Sequence, residues 1–170
     1  METLTTLISE AELQKRVREL AEQISRDYAG QTVHLLAVLR GAVPFLTDLS
    51  HQLALDVTFD FLSVTRQKDT NHVRLLKDLD SPVEGRNILI VEDIINEGET
   101  LNYLVKTLSL RAPQDIKIVT IFDRPNKHKG KIQADYVGLN LDDDQFVVGY
   151  GLDYQQRYRN LPYLAHLKIE

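Results

Sequence analysis

The sequence predicts an α/β fold built on a mostly parallel, twisted sheet flanked by helices. Three observations carry this. Strand-length apolar runs at 33–39, 87–91 and 116–122 alternate with segments of helical spacing. The runs are continuously apolar, as in strands covered on both faces. Each run ends in a polar or charged break, and parallel sheets bind ligands beyond the carboxyl ends of their strands.

Each element follows from local pattern. Ser9, Glu10, Ala11 and Glu12 read as a capping box. Leu13, Val17, Leu20, Ile24 and Tyr28 then recur at helical spacing, with Gly30 as a stop, so a helix is expected over 11–29. The run 33–39 is a buried strand broken by Arg40 and Gly41. Val43, Leu46, Leu49 and Leu53 resume helical spacing, with Pro44 tolerated in the first turn. Val57, Phe59 and Phe61 alternate with Thr58 and Asp60, which is strand periodicity. Residues 65–71 are polar and are expected as an exposed loop, and 73–77 as a short strand. After the strand 87–91 comes a polar turn over 92–100. A helix follows, marked by Leu101, Leu104, Val105 and Leu108. Beyond 116–122 lies a basic loop over 123–131. The segments 136–139, 146–149 and 164–169 are shorter strand candidates.

Composition narrows the function classes. The chain has 170 residues, which suits one domain over 1–170, and 43% of them are hydrophobic, as in an ordinary globular chain. It has no cysteine, which excludes disulfides, thiolate metal sites and a cysteine nucleophile. A net charge of −5 disfavours nucleic-acid and anionic-membrane partners. Residues 1–10 lack the basic and apolar regions of a secretory signal, so a cytoplasmic location is expected.

The richest segment is 88–101, which runs strand, acidic pair (Glu92, Asp93), turn, helix. Backbone N–H groups at a helix start are free, and the helix dipole favours an anion there. Gly98 permits close approach and Thr100 adds a hydroxyl. Two carboxylates before the turn can accept hydrogen bonds from a diol. A phosphate beside a diol describes a ribose 5-phosphate. An acidic, solvated strand-to-helix turn fits the same residues, and chemistry alone leaves both readings open.

Residues 91–101 resemble the phosphoribosyl pyrophosphate (PRPP) motif of type I phosphoribosyltransferases. Leu39-Arg40-Gly41 is similar to that family's pyrophosphate loop. Leu76, Lys77, Asp78 and Leu79, with Gly85 and Arg86, are similar to the approach to the motif. Residues 146–154 and 158–163 resemble the C-terminal signature of the 6-oxopurine (hypoxanthine or hypoxanthine-guanine) branch. The resemblance implies that fold, with a small hood built from the terminal segments. It implies transfer of ribose 5-phosphate from PRPP to N9 of a 6-oxopurine, with release of pyrophosphate. On it, Glu92 and Asp93 hold the ribose hydroxyls, and the turn Glu97, Gly98, Glu99, Thr100 holds the 5′-phosphate. Arg40, Gly41 and Arg159 hold pyrophosphate. Arg124, Phe146, Val147 and Asp153 form the purine site. Asp153 belongs to a Mg²⁺ shell, with Glu92 and Asp93 near the metal-bound diol. Asn96 and Arg159 are the catalytic positions, and a homodimer or homotetramer is expected.

Four departures from the family pattern stand out. Asn96 replaces the Asp placed near purine N7, and an amide cannot take up a proton near neutral pH. Glu97 replaces a small or neutral residue, and Glu99 stands at a variable position. Both carboxylates are expected to face solvent, because backbone amides carry the phosphate. Arg124 and Arg40 each replace a Lys. The loop 65–71 is short and lacks the family's Ser-Tyr pair. Lys127, His128, Lys129 and Lys131 are expected to be a solvated basic run, and the other four histidines to be structural or surface residues. Two further readings fit these departures: a PRPP- or nucleotide-sensing regulator on the same fold, and an enzyme of shifted base preference.

Overall fold

The structure is a computed structural model, and it describes residues 1–66, 73–130, 132–142 and 144–169. The elements in order are β1 (Glu2–Ile8), α1 (Glu10–Asp27), β2 (Thr32–Val38), α2 (Val43–Gln52), β3 (Asp56–Arg66) and β4 (Val73–Lys77). Then come β5 (Asn87–Ile95), α3 (Glu99–Ser109), β6 (Asp115–Asp123), β7 (Tyr136–Asn140), β8 (Val147–Val148) and β9 (Leu164–Ile169). Six strands form a sheet in the order β4-β3-β2-β5-β6-β7, parallel except for β4. β1, β9 and β8 form a separate antiparallel sheet from the two terminal segments.

The helices cover the sheet on both faces. α1 starts at the expected box: Glu12 N–H donates to Ser9 Oγ, and Ser9 N–H donates to the Glu12 carboxylate. Its buried stripe is Leu13, Val17, Leu20, Ala21 and Ile24, which packs with Leu35, Ala37, Leu89 and Val91. On the other face Leu101, Leu104 and Leu108 of α3 pack with Leu36, Ile88, Ile90 and Ile118. The strand residues of the two clusters alternate, as the period-2 geometry of a doubly covered sheet requires.

Three expectations change. β1 carries no apolar run, and its partner β9 lies at the far end of the chain, so local pattern gave no sign of it. β5 continues through Glu92 and Asp93 to Ile95, because Ile94 and Ile95 pair with Phe122 and Asp123 of β6. The turn is thereby shortened to 96–98, and the acidic pair sits on a strand. Thr65 and Arg66 belong to β3, where they pair with Arg74 and Val73. The rest of the expected loop, and His72, lie outside the described residues.

Candidate active site

The sheet order places β2 beside β5, while β2 leads through α2 to β3 on its other side. This reversal of winding opens a crevice at the carboxyl ends of β2 and β5. Gly41 follows β2 there, after a cis Leu39–Arg40 peptide bond. A Cβ on Gly41 would lie 1.6 Å from Asp93 Oδ2, and a Cβ on Gly151 would lie 1.9 Å from Gly41 O. Gly151 also has φ +100°, a conformation that favours glycine. Three segments remote in sequence therefore close on one another with no room for side chains.

Glu92 is buried and Asp93 half-buried. Burial lifts the Glu92 carboxyl well above the ordinary carboxylate range, and the Asp93 charge and hydrogen bond push it further. Burial raises Asp93 too, against the opposing pull of its hydrogen bonds with Glu92 and the Ile94 N–H. Two carboxyls are thus held where donors from a ligand would relieve their desolvation.

The turn leads into α3 with the geometry of an anion site. Gly98 is the N-cap, at φ +79°, and no side chain caps the helix. Asn102 N–H donates to Gly98 O, so the preceding amides of the turn have no intrahelical acceptor. Arg66, Glu92, Asp93, Asn96, Gly98 and Thr100 are among the residues lining a cavity of about 230 Å³. Glu97 and Glu99 do not simply face solvent, as expected. Arg66 Nη1 lies 3.2 Å from a carboxylate oxygen of each, and Lys129 Nζ lies 2.5 Å from Glu97. Isolated carboxylates on this turn would repel one another, and the two cations offset that repulsion.

A second cavity, of about 290 Å³, shares Asp93, Ile94 and Asn96 with the first and continues to Arg124, Phe146, Val147, Asp153 and Arg159. Phe146 is 52% exposed at its rim, edge-to-face with Tyr154 at 5.8 Å. Arg124 is buried. Its Nη2 donates to Gln145 O, while Nε has no partner among the described residues. Asp153 accepts from Arg159 at 2.6 Å and from Gln156 N–H at 2.8 Å. Gln156 Oε1 in turn accepts from Arg40 Nη1 at 2.7 Å. Tyr150, Gln155, Gln156 and Tyr158 all have positive φ, so the loop carrying Asp153 stores backbone strain beside the cavity.

The structure brings the expected residues to one crevice, but Arg40, Gly41 and Glu99 lie outside both cavity linings, Gly41 against Asp93. It adds Arg66, Ile94, Lys127 and Gln156. Ile94 was hidden because a single apolar residue inside an apolar strand reads as core. The basic run is paired with acidic residues, although Lys129 stays exposed as expected. Lys127 pairs with Asp144, His128 with buried Asp123 at 2.6 Å, and Lys129 with Glu97, while Lys131 lies outside the described residues. Acidic partners on other loops were invisible in a local reading.

Comparison with known proteins places this geometry. Residues 6–155 match the family model described as "Phosphoribosyl transferase domain". The hypoxanthine-guanine phosphoribosyltransferase of Bacillus subtilis is 46% identical over 166 residues, which are 95% of this chain and 92% of that protein. The bifunctional protein TilS/HprT of Listeria monocytogenes is 44% identical over 168 residues, and there the chain spans only 26% of the relative's length. The crystal structure of a hypoxanthine-guanine phosphoribosyltransferase from Bacillus anthracis, with HEPES in its active site, aligns with a TM-score of 0.95 at 41% identity. The alignment covers 99% of this chain and all of that one.

Proposed function

The chain belongs to the phosphoribosyl transferase family, and we propose that it transfers the 5-phosphoribosyl group of PRPP to N9 of a 6-oxopurine, hypoxanthine and also guanine, in purine salvage. The observation that carries this is the pair of cavities meeting at Asp93, Ile94 and Asn96. One ends in an uncapped helix start suited to a phosphate, and the other has an aromatic face and a buried guanidinium suited to an oxo-bearing ring. A ribose between them spans the shared residues.

The mechanism follows from the placement. The amides of the 97–100 turn and the Thr100 hydroxyl hold the 5′-phosphate. Glu92 and Asp93 accept hydrogen bonds from the ribose hydroxyls, which fixes C1 at the junction of the cavities. Pyrophosphate lies toward Gly41, Arg40 and Arg159, whose charges favour its departure as the C1–O bond breaks. Phe146 stacks on the purine, the Val147 backbone reads its edge, and Arg124 donates to the 6-oxo oxygen. N9 then forms the new bond to C1 while the ring N–H proton passes to water or to the departing pyrophosphate, and Asn96 hydrogen-bonds at N7 without taking it.

Among the described residues no three His, Cys, Asp or Glu side chains gather to hold a metal. Both Asp153 oxygens already accept hydrogen bonds from the protein. Asp153 would lie in the surroundings of a Mg²⁺ ion, with Glu92 and Asp93 near the diol, and oxygen donors of this kind suit that hard cation. Such an ion, when bound, neutralises the leaving group.

No described helix is long and apolar enough to cross a membrane, and we place the enzyme in the cytoplasm. A homodimer or tetramer is supported by one edge of the sheet. β4 pairs with β3 at 63–66, which leaves 56–62 without a strand partner on its outer side among the described residues, and Phe59 there is 54% exposed and lines a cavity with Val43. Leu46 and Leu49 of α2 are buried in the core.

Incubation with PRPP, Mg²⁺ and each of hypoxanthine, guanine, xanthine and adenine tests the activity. Formation of IMP and GMP is expected. PRPP binding without turnover of any base would favour the regulatory reading, and turnover of adenine or xanthine alone the shifted-specificity one.

A further inference from the structure

The two carboxylates on the phosphate turn pose a problem that Arg66 resolves. Arg66 closes β3 and reaches across the crevice to the start of α3. One guanidinium nitrogen, Nη1, serves both Glu97 and Glu99, each at 3.2 Å. Nε and Nη2 donate to no described residue, and Arg66 lines the same cavity as Gly98 and Thr100. Lys129, from another loop, takes the other oxygen of Glu97. The carboxylates therefore act as a bracket. They hold the guanidinium at the mouth of the anion site, with Nε and Nη2 donating to no acceptor among the described residues. A planar fork with free N–H groups is the side chain best matched to phosphate oxygens.

We infer that Arg66 is a 5′-phosphate ligand, positioned by Glu97 and Glu99, and that these two acidic residues strengthen phosphomonoester binding. The inference deepens the proposed function and rests on it. Simple electrostatics gives the opposite sign for the carboxylates, since two negative charges beside a dianion weaken its binding if nothing intervenes. The sign of their removal therefore separates the two accounts.

The test measures binding of IMP and of inosine, which lacks the phosphate, by calorimetry on the full chain. Arg66→Gln should weaken IMP binding about tenfold or more, as expected for loss of a charge-assisted contact, and leave inosine unchanged. Arg66→Lys should restore part of the loss. The Glu97→Gln/Glu99→Gln double variant should also weaken IMP, and adding Arg66→Gln to it should cost little more, because all three act as one unit. Tighter IMP binding by the double variant, or equal binding by Arg66→Gln, overturns the inference. Absence of IMP and GMP binding by the unaltered chain would instead count against the proposed function itself.

Discussion

Gly41 and Asp93 stand in direct apposition across the crevice, so close that a methyl group on Gly41 would overlap the Asp93 carboxylate at 1.6 Å. Gly41 is not in the left-handed region, so Ala at this position is strained by contact alone. The Asp93 side chain must then turn away, and the diol contacts proposed for it go with it. Gly41→Ala should raise the KM for PRPP about 10- to 100-fold, the equivalent of one lost charge-assisted hydrogen bond. The KM for hypoxanthine should change far less. Steady-state kinetics with each substrate varied in turn decides this, and equal rises in both constants would mean a general collapse of the crevice.

Glu92 couples function to stability. Its carboxyl is raised by burial and by Asp93, so the folded state holds the proton more tightly than the unfolded chain does. Folding is therefore unpenalised below the ordinary value of 4.5. It loses stability as pH rises from there toward the raised folded value. Glu92→Gln removes that penalty. Thermal unfolding from pH 4 to 8 should show the variant gaining on the parent as pH rises. The same variant should bind PRPP more weakly. A constant difference across pH would remove Glu92 as the source.

The parallel architecture was legible because continuous apolar runs and helical spacing are local signals, and α1 even shows its capping box in the letters. The acidic pair and the glycine turn of 92–100 stood out because they are also local, and it was the family resemblance that attached the ribose-phosphate reading to them. What escaped was non-local. Arg66 is read correctly only when β3 is laid opposite the start of α3, and Lys127 only when the loop holding Asp144 folds over it. β5 ran past its expected end because β6 supplied partners for Ile94 and Ile95. Charge pairs between segments, and strand ends set by a neighbour, leave no periodicity behind.

Phe146 contributes to binding more than to folding. It is half exposed, and its edge-to-face contact with Tyr154 is the ring pairing it makes. Base–aromatic stacking is worth about 1–3 kcal/mol per base. Phe146→Ala should raise the KM for hypoxanthine about 5- to 100-fold while leaving the melting temperature nearly unchanged. A large fall in melting temperature would make Phe146 a core residue instead.

Arg124 should set the preference for an oxo group at purine C6. It is buried, anchored through Nη2 to Gln145 O, and its Nε is left without a partner. A donor-only side chain rewards an acceptor and leaves an amino group unpaired. Arg124→Met keeps the stem and removes the donors. It should weaken hypoxanthine more than adenine, narrowing the ratio of their kcat/KM values about tenfold or more. An unchanged ratio would move base selection to the Val147 backbone.

On the proposed placement of the purine, Asn96→Asp should raise kcat for hypoxanthine. Asn96 is exposed at the junction of the two cavities. Two effects compete on substitution. A carboxylate near N7 pairs with its proton and stabilises positive charge developing on the ring, which an amide does only weakly. It also adds a negative charge to a turn that already carries Glu97 and Glu99, beside an anionic substrate. Arg66 and Lys129 already engage those two carboxylates. The repulsive effect is therefore smaller than a count of acidic residues suggests, and it acts on PRPP binding rather than on the ring. The favourable effect acts at the reacting base, on charge that develops in the transition state. A gain of about tenfold in kcat is expected, the modest end of general acid–base effects, with a smaller change in the KM for PRPP. Steady-state rates of both forms across pH 6–9 check it. An unchanged or lower kcat would make Asn96 an adapted residue and return weight to a shifted base preference.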